Sequence, residues 1–185
     1  MPDSCPTWDL TDLYEGIGDD AIAADLARCR REAERMESAW QGKIGNATPQ
    51  DLATLIADYE QVLEALGKAQ SHAQLLFAAS TTDAQIARHH QSIREASADI
   101  GARLLFVELE IAALPSDHVD RLLETPEFAA WQPWLRRVRA FAPHQLSPDM
   151  ERMLAERAPS GRGKRVADLT GAALFGSVEV ARSNQ

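Results

Sequence analysis

Residues 82–114, TDAQIARHHQSIREASADIGARLLFVELEIAAL, contain a regular hydrophobic pattern that no proline interrupts before Pro115. Thr82 is followed three residues later by Gln85, a capping-box pattern that predicts a helix start. Because aliphatic residues recur every seven positions, the stretch predicts a long helix with one apolar face. The residues on this line are Ile86, Ile93, Ile100, Val107 and Leu114, with Leu104 and Ile111 on an interleaved line.

A second long helix is predicted immediately upstream, over residues 48–80. Thr48 is a suitable N-cap, Pro49 suits the first helical position and Asp51 places an acid in the first turn. Two long, uninterrupted helices joined by a short connection are expected to pack as an antiparallel hairpin. The apolar residues of this second helix are Leu52, Leu55, Ile56, Tyr59, Val62, Leu63, Leu66, Ala73, Leu76 and Phe77.

Shorter helices are expected on both sides of the hairpin. Between Asp19 and Trp40 the apolar residues step by three and four positions, which is typical of an amphipathic helix. They are Ile22, Leu26, Cys29, Ala33, Met36 and Trp40. Downstream, helices are expected over residues 116–123, 127–141 and 147–157, with a kink or restart at Pro133 and with Ser147 as an N-cap. The aromatic residues Phe128, Trp131, Trp134 and Phe141 are expected to pack together at the end of the hairpin.

Composition supports an all-α fold in a single domain. The 185 residues include 31 Ala and 20 Leu but only 8 Ile and 7 Val, which favours helix over strand. We divide the chain into an extended N-terminal segment (1–18), a helical domain (19–157) and a weakly structured tail (158–185). The formal net charge is −9. Without a membrane-length apolar run or a signal-peptide pattern at the N-terminus, we expect a soluble, cytoplasmic protein.

The sequence indicates no catalytic, cofactor-binding or metal-ligating residues. Cys5 and Cys29 lack the spacing of a disulfide scaffold or a zinc finger, and Cys29 is expected to be buried in the core. No HExxH pattern and no ExxH pair occurs among the residues around the histidines. The five histidines are His72, His89, His90, His118 and His144.

Local roles are expected for several of the polar residues. His90 lies on the inward line of its helix and is expected to be partly buried and hydrogen-bonded, whereas His89 is expected to point away. Beside His118, Ser116 and Asp117 are expected to cap the following helix.

Charged residues in two other segments are expected to act in structure rather than in catalysis. Glu108 and Glu110 are two residues apart and therefore cannot form a shared carboxylate pair. One is expected to pair with an arginine and the other to be solvated. Arg136, Arg137 and Arg139 could hold phosphates, but no glycine-rich loop or nucleic-acid motif accompanies them. They are expected to form a salt-bridged or solvated face.

Four segments, in this order, resemble the N-terminal region of oligoendopeptidase F, of the thimet-oligopeptidase-like zinc metallopeptidases. Residues 8–14, WDLTDLY, resemble the family's W-D-L-[ST]-D-L-Y start, and residues 40–44, WQGKI, resemble its aromatic-x-G-K-[IL] turn. Residues 106–110, FVELE, resemble its helix with Phe and Glu. Residues 143–151, PHQLSPDME, resemble its P-H-x-L-S-x-x-x-E signature. The resemblance covers about residues 7–163, after which the sequence is expected to depart from the family.

The resemblance implies an all-α, non-catalytic domain that forms one wall of a channel for short peptides. In that family a catalytic region carries the HExxH zinc site, and those residues do not occur in this chain. We therefore expect no cofactor here, zinc only in the full-length family, and no activity of this chain alone. The expected partners are the catalytic half or a second copy of the chain, with oligopeptide substrate in the full-length context. Nucleic acid and membranes are not expected.

Two interpretations remain open. The chain is the N-terminal domain or a truncated form of such a peptidase, or it is a stand-alone helical module that binds a peptide or protein partner. A cofactor-binding helical bundle ranks last, since no ligand pattern supports it.

Overall fold

The computed structural model describes residues 9–141, 146 and 148–157, and within them it contains six α-helices, two short 3₁₀ segments and no strand. The predicted all-α fold is therefore confirmed. The helices are α1 (Asp20–Trp40), α2 (Pro49–Ala79), α3 (Ala84–Ala113), α4 (Ser116–Leu123), α5 (Gln132–Phe141) and α6 (Pro148–Arg157). The 3₁₀ segments are Ile44–Asn46 and Pro126–Trp131.

Side chains cap the first three helices. The Asp19 carboxylate accepts a hydrogen bond from the N–H of Ala21, and the Thr48 hydroxyl accepts one from the N–H of Asp51. For α3 the predicted capping box of Thr82 and Gln85 is wrong, because the N-cap is Asp83. Its carboxylate accepts from the N–H groups of the second and third helical residues, which satisfies two of the donors that a helix start leaves unpaired.

Helices α2 and α3 contact each other from their connecting turn towards their far ends. Close to the turn, the Phe77 ring stacks on His90 with centroids 4.8 Å apart. Further along, the rings of His72 and His89 lie edge-to-face, and the Tyr59 hydroxyl donates a hydrogen bond to Glu108. Residue numbers thus fall along α2 as they rise along α3.

The predicted apolar lines form the core. On α3 the line is buried from Ile93 onwards, and only Ile86, near the helix start, is half-buried. On α1 four stripe residues are buried, and Leu26 and Trp40 pack against the core while remaining partly exposed. The buried α1 residues are Ile22, Cys29, Ala33 and Met36.

The aromatic segment after α4 packs onto this core. Phe128 is fully buried with its ring edge-to-face on Trp131, and the Trp134 ring lies 6.2 Å from that of Tyr59. The expected restart at Pro133 occurs, because the 3₁₀ segment ends at Trp131 and α5 begins at Gln132. α5 and α6 both contact α3. The side chain of Phe141 lies outside the described residues.

The expected capping of α4 by Ser116 and Asp117 is wrong. Its N-cap is Pro115, which makes no side-chain cap bond. Ser116 accepts a hydrogen bond from Arg139, and Asp117 pairs with Arg121 one turn further along. Both side chains are thus engaged by arginines instead of by the helix start.

Candidate functional site

The connection between α1 and α2 is tied to α3 by the carboxylate of Glu110. One oxygen accepts a hydrogen bond from the N–H of Gly42 at 2.6 Å, and the other accepts from the N–H of Ile44 at 3.3 Å. Gly42 has a φ of +76°, a conformation that a residue with a Cβ rarely adopts, and the Ile44 side chain is fully buried. Two of the segments that carry the family resemblance, 40–44 and 106–110, therefore meet at this bond.

Glu108 points to a different side of α3 and lies in the core. It is 8% exposed, and its Oε1 accepts a hydrogen bond from the Tyr59 hydroxyl at 3.2 Å. Burial raises the pKa of Glu108, against the opposing effects of the Tyr59 bond and the charge of Arg137. Burial also raises the pKa of Tyr59 well above its usual value. The sequence places Tyr59 on an apolar stripe, and only the structure shows its partner.

The expectations for these two glutamates are met in part. As expected, they do not form a carboxylate pair, since one faces α2 and the other faces the α1–α2 connection. The arginine near them is Arg137, whose charge acts on Glu108. The expectation that the second glutamate is solvated is wrong, because Glu110 is half-buried and binds two backbone N–H groups that the connection leaves without helical partners.

The histidines cluster more closely than the sequence indicates. His72 is 1% exposed, and its ring lies edge-to-face on those of Tyr14 and His89, at 5.3 and 6.2 Å. The expectation that His89 points away is therefore wrong. His90 is half-buried, as expected, and in the described structure its ring stacks on Phe77 instead of making the expected hydrogen bond. His118 is half-buried on α4, and His144 lies outside the described residues.

The three arginines of α5 do not act together. Arg139 donates to the carbonyls of Ala112 and Leu114 and to Ser116 Oγ, so it binds the C-terminal end of α3, where helix carbonyls lack partners. Arg136 donates to Gln132 one turn earlier, and Arg137 lies near Glu108. The expected salt-bridged or solvated face is wrong for Arg139, which binds backbone carbonyls.

At the start of α6, the Glu151 carboxylate accepts a hydrogen bond from the N–H of Leu146 at 3.0 Å. This bond joins the Leu and the Glu of the P-H-x-L-S-x-x-x-E segment. A glutamate that reaches back to the chain before a helix stabilises the helix start. Ser147, the predicted N-cap, lies outside the described residues.

A resident zinc ion does not fit the described part of the chain. There, no group of three or more His, Cys, Asp or Glu side chains is placed to hold a metal ion.

Cys29 is buried with its Sγ 3.8 Å from the Val62 carbonyl oxygen, and burial raises the pKa of its thiol. None of the helices described is both long and apolar enough to span a membrane. Several of the side chains described above, namely Glu110, Arg139 and Glu151, form hydrogen bonds with backbone groups of neighbouring segments.

The comparisons with known proteins give one family. Residues 110–170 match the family model described as Oligopeptidase F, which represents the N-terminal region. The match contains α4, α5, α6 and residues 143–151, and it continues past Gly163, where the sequence was expected to depart from the family. No curated protein and no solved structure matches the chain significantly. The family match confirms the resemblance over part of the chain: residues 110–170 are similar to the N-terminal region of an oligoendopeptidase F-like peptidase.

Proposed function

We propose that these helices form a non-catalytic domain of an oligoendopeptidase F-like zinc metallopeptidase and line one wall of its channel for short peptides. The family match over residues 110–170 carries this proposal. The zinc ligands and the general base are then supplied by a catalytic region, on the same polypeptide or on a separate one, since HExxH does not occur in these 185 residues.

The bonds made by the family-like segments support a structural role for this domain. Glu110 is committed to the backbone of residues 42–44, and Glu151 to the backbone at Leu146. Carboxylates that already accept backbone hydrogen bonds serve as joints between helices and connections. A wall of a channel requires such rigid joints, because a cavity selects substrates by size only if its sides hold their positions.

The test is reconstitution with a catalytic region. The 185-residue chain is co-expressed with the catalytic region of an oligoendopeptidase F that lacks its own N-terminal domain, and hydrolysis of a quenched fluorescent oligopeptide is measured. We expect the two chains to co-purify and kcat/KM to rise well above that of the catalytic region alone.

A matched control separates a folded wall from a general stabilising effect. The Glu110→Ala variant, which loosens the joint at residues 42–44, is expected to give a smaller gain than Glu95→Ala on the exposed side of the same helix. If the chains do not co-purify and hydrolysis is unchanged, the proposal fails, and a stand-alone interaction module becomes the better explanation.

A further inference from the structure

Residues 9–19, which we call the N-terminal arm, are held on the helices by Tyr14. The Tyr14 side chain is 2% exposed, and its hydroxyl donates to Asp25 of α1 at 2.8 Å. Its ring lies edge-to-face on His72 of α2, and the ammonium of Lys68 lies 4.1 Å from the ring centroid. Tyr14 therefore joins the arm to α1 and α2 at one point.

His72 lies beneath this point with an incomplete set of hydrogen bonds. Its Nδ1 is buried and has no hydrogen-bond partner, and the same holds for Nε2 of His89, whose ring faces it from α3. A protonated imidazole carries two N–H donors, and each donor that is buried without an acceptor costs free energy. The packed arrangement therefore favours a neutral His72.

Most of the charges around His72 also favour its neutral form, and one favours the protonated form. Lys68 on α2 and His89 on α3 oppose a positive charge at His72, whereas Asp19, the N-cap of α1, attracts one. A hydrogen bond between the His72 ring and the Tyr14 backbone also favours the positive charge. Desolvation is the largest effect, and the net result is a lowered pKa of His72. Burial lowers the pKa of His89 as well. Asp25 lies on the far side of the Tyr14 ring and forms an ion pair with Arg28.

We propose that His72 is a proton-operated latch for the N-terminal arm: neutral His72 holds Tyr14 in place, and a protonated His72 releases the arm while the helices remain folded. The arm is the element expected to open, because it consists of turns and bends and of its side chains only that of Tyr14 is fully buried. By contrast, α2 and α3 also contribute to a larger buried cluster that contains no residue of the arm, with Leu66 from α2 and Ile100 from α3 among its members.

The expected size of the effect follows from the ordinary titration of histidine. Packing keeps His72 neutral at a pH where the released ring becomes protonated. The closed arm is therefore most stable above pH 6.5 and loses stability as the pH falls below that value. With the ordinary pKa of 6.5, the neutral fraction of a released imidazole falls about tenfold between pH 7.5 and pH 5.5. Opening of the arm should therefore become more favourable over this interval, by about tenfold at most, the limit that is reached when packed His72 stays neutral throughout.

Amide hydrogen exchange measures this opening in the full chain. The reporters are the N–H groups of Leu13 and Tyr14, which both donate to the Leu10 carbonyl in the closed arm. After correction for the intrinsic exchange rate, we expect their protection to fall between pH 7.5 and pH 5.5, by up to about tenfold. Protection of α5, for example at Val138, should change much less.

Two variants identify the titrating group. His72→Phe keeps an aromatic ring against Tyr14 but cannot be protonated, so the arm should lose its pH response. His118→Gln, on α4, should keep the wild-type response. If the arm responds equally in wild type and His72→Phe, or if α5 loses protection together with the arm, the latch is refuted.

A second measurement covers the case in which His72→Phe does not fold. In the wild-type chain, the loss of arm protection should begin near pH 6.5, above the midpoint of the NMR titration of the His72 ring, because the packed ring has the lowered pKa. A loss of protection that begins only below the midpoint of the ring titration would overturn the proposal, and an onset above that midpoint would support it.

Discussion

Replacing Glu110 by alanine should release the α1–α2 connection from α3. The side chain contributes two hydrogen bonds to backbone N–H groups, one to Gly42 at 2.6 Å and one to Ile44 at 3.3 Å. Both cross from one helix to a connection nearly seventy residues earlier in the sequence, so no local structure replaces them when they are lost.

The magnitude follows from the number and exposure of these bonds. A hydrogen bond to a charged group contributes about 1.5–3 kcal/mol. Gly42 is exposed, and water can therefore bind its N–H in the variant. The Ile44 bond is longer but partly buried, and it positions a side chain that is fully buried. We expect the free energy of unfolding to fall by about 2–3 kcal/mol for Glu110→Ala.

Urea denaturation, followed by far-ultraviolet circular dichroism, measures this loss. Glu95→Ala is the matched control, because Glu95 is exposed on the same helix and bonds only to the side chain of Gln91 in the described structure. It should change stability by less than about 0.5 kcal/mol. Glu110→Gln keeps one acceptor oxygen and should lie between the two. If Glu110→Ala is as stable as Glu95→Ala, burial of Ile44 alone holds the connection and the reasoning is refuted.

Four further predictions follow from the same structure. Gly42→Ala should cost about 1–2 kcal/mol in urea denaturation because of its positive φ, whereas Gly45→Ala, with an ordinary φ and equally open surroundings, should cost little. Ile100→Ala should cost about 2–5 kcal/mol because the side chain is fully buried, against less than about 1 kcal/mol for Ile17→Ala at 39% exposure. Burial raises the pKa of Glu108, so the stability that its protonated form contributes is full below pH 4.5 and is lost as the pH rises through the raised value. Glu108→Gln should therefore gain stability relative to wild type as the pH rises above 4.5. The purified chain should hydrolyse no peptide and hold no stoichiometric zinc, and one zinc per chain after a chelator wash would contradict this.

Helix positions were predictable because they depend on neighbours in the sequence. The spacing of apolar residues places α1, α2 and α4 within one residue of their observed limits. The N-cap of α3 was predicted one residue too early, at Thr82 instead of Asp83, because both residue types cap helices and the choice depends on which oxygen reaches the free N–H groups. The family-like segments were also visible in the sequence, and the family match over 110–170 confirms the last of them.

Side-chain partners were not predictable, because they join residues that are distant in the sequence. Glu110 binds a connection formed by residues 41–48, and Arg139 binds the end of a helix 25 residues upstream at Leu114. His89 is expected to point away from the apolar line of α3, yet the packing of α2 and the arm places His72 and Tyr14 on that side.

The sequence by itself determined that this protein is helical, where most of its helices begin and end, and which faces are apolar, because these properties depend on residues three or four positions apart. The tertiary structure alone decided which polar side chains are buried and what they bind. Burial removes water from a charged or polar group, so the group must find a protein partner or shift its pKa, as Glu108 does with Tyr59. Those partners are set by helix packing, and no local pattern in the sequence encodes them.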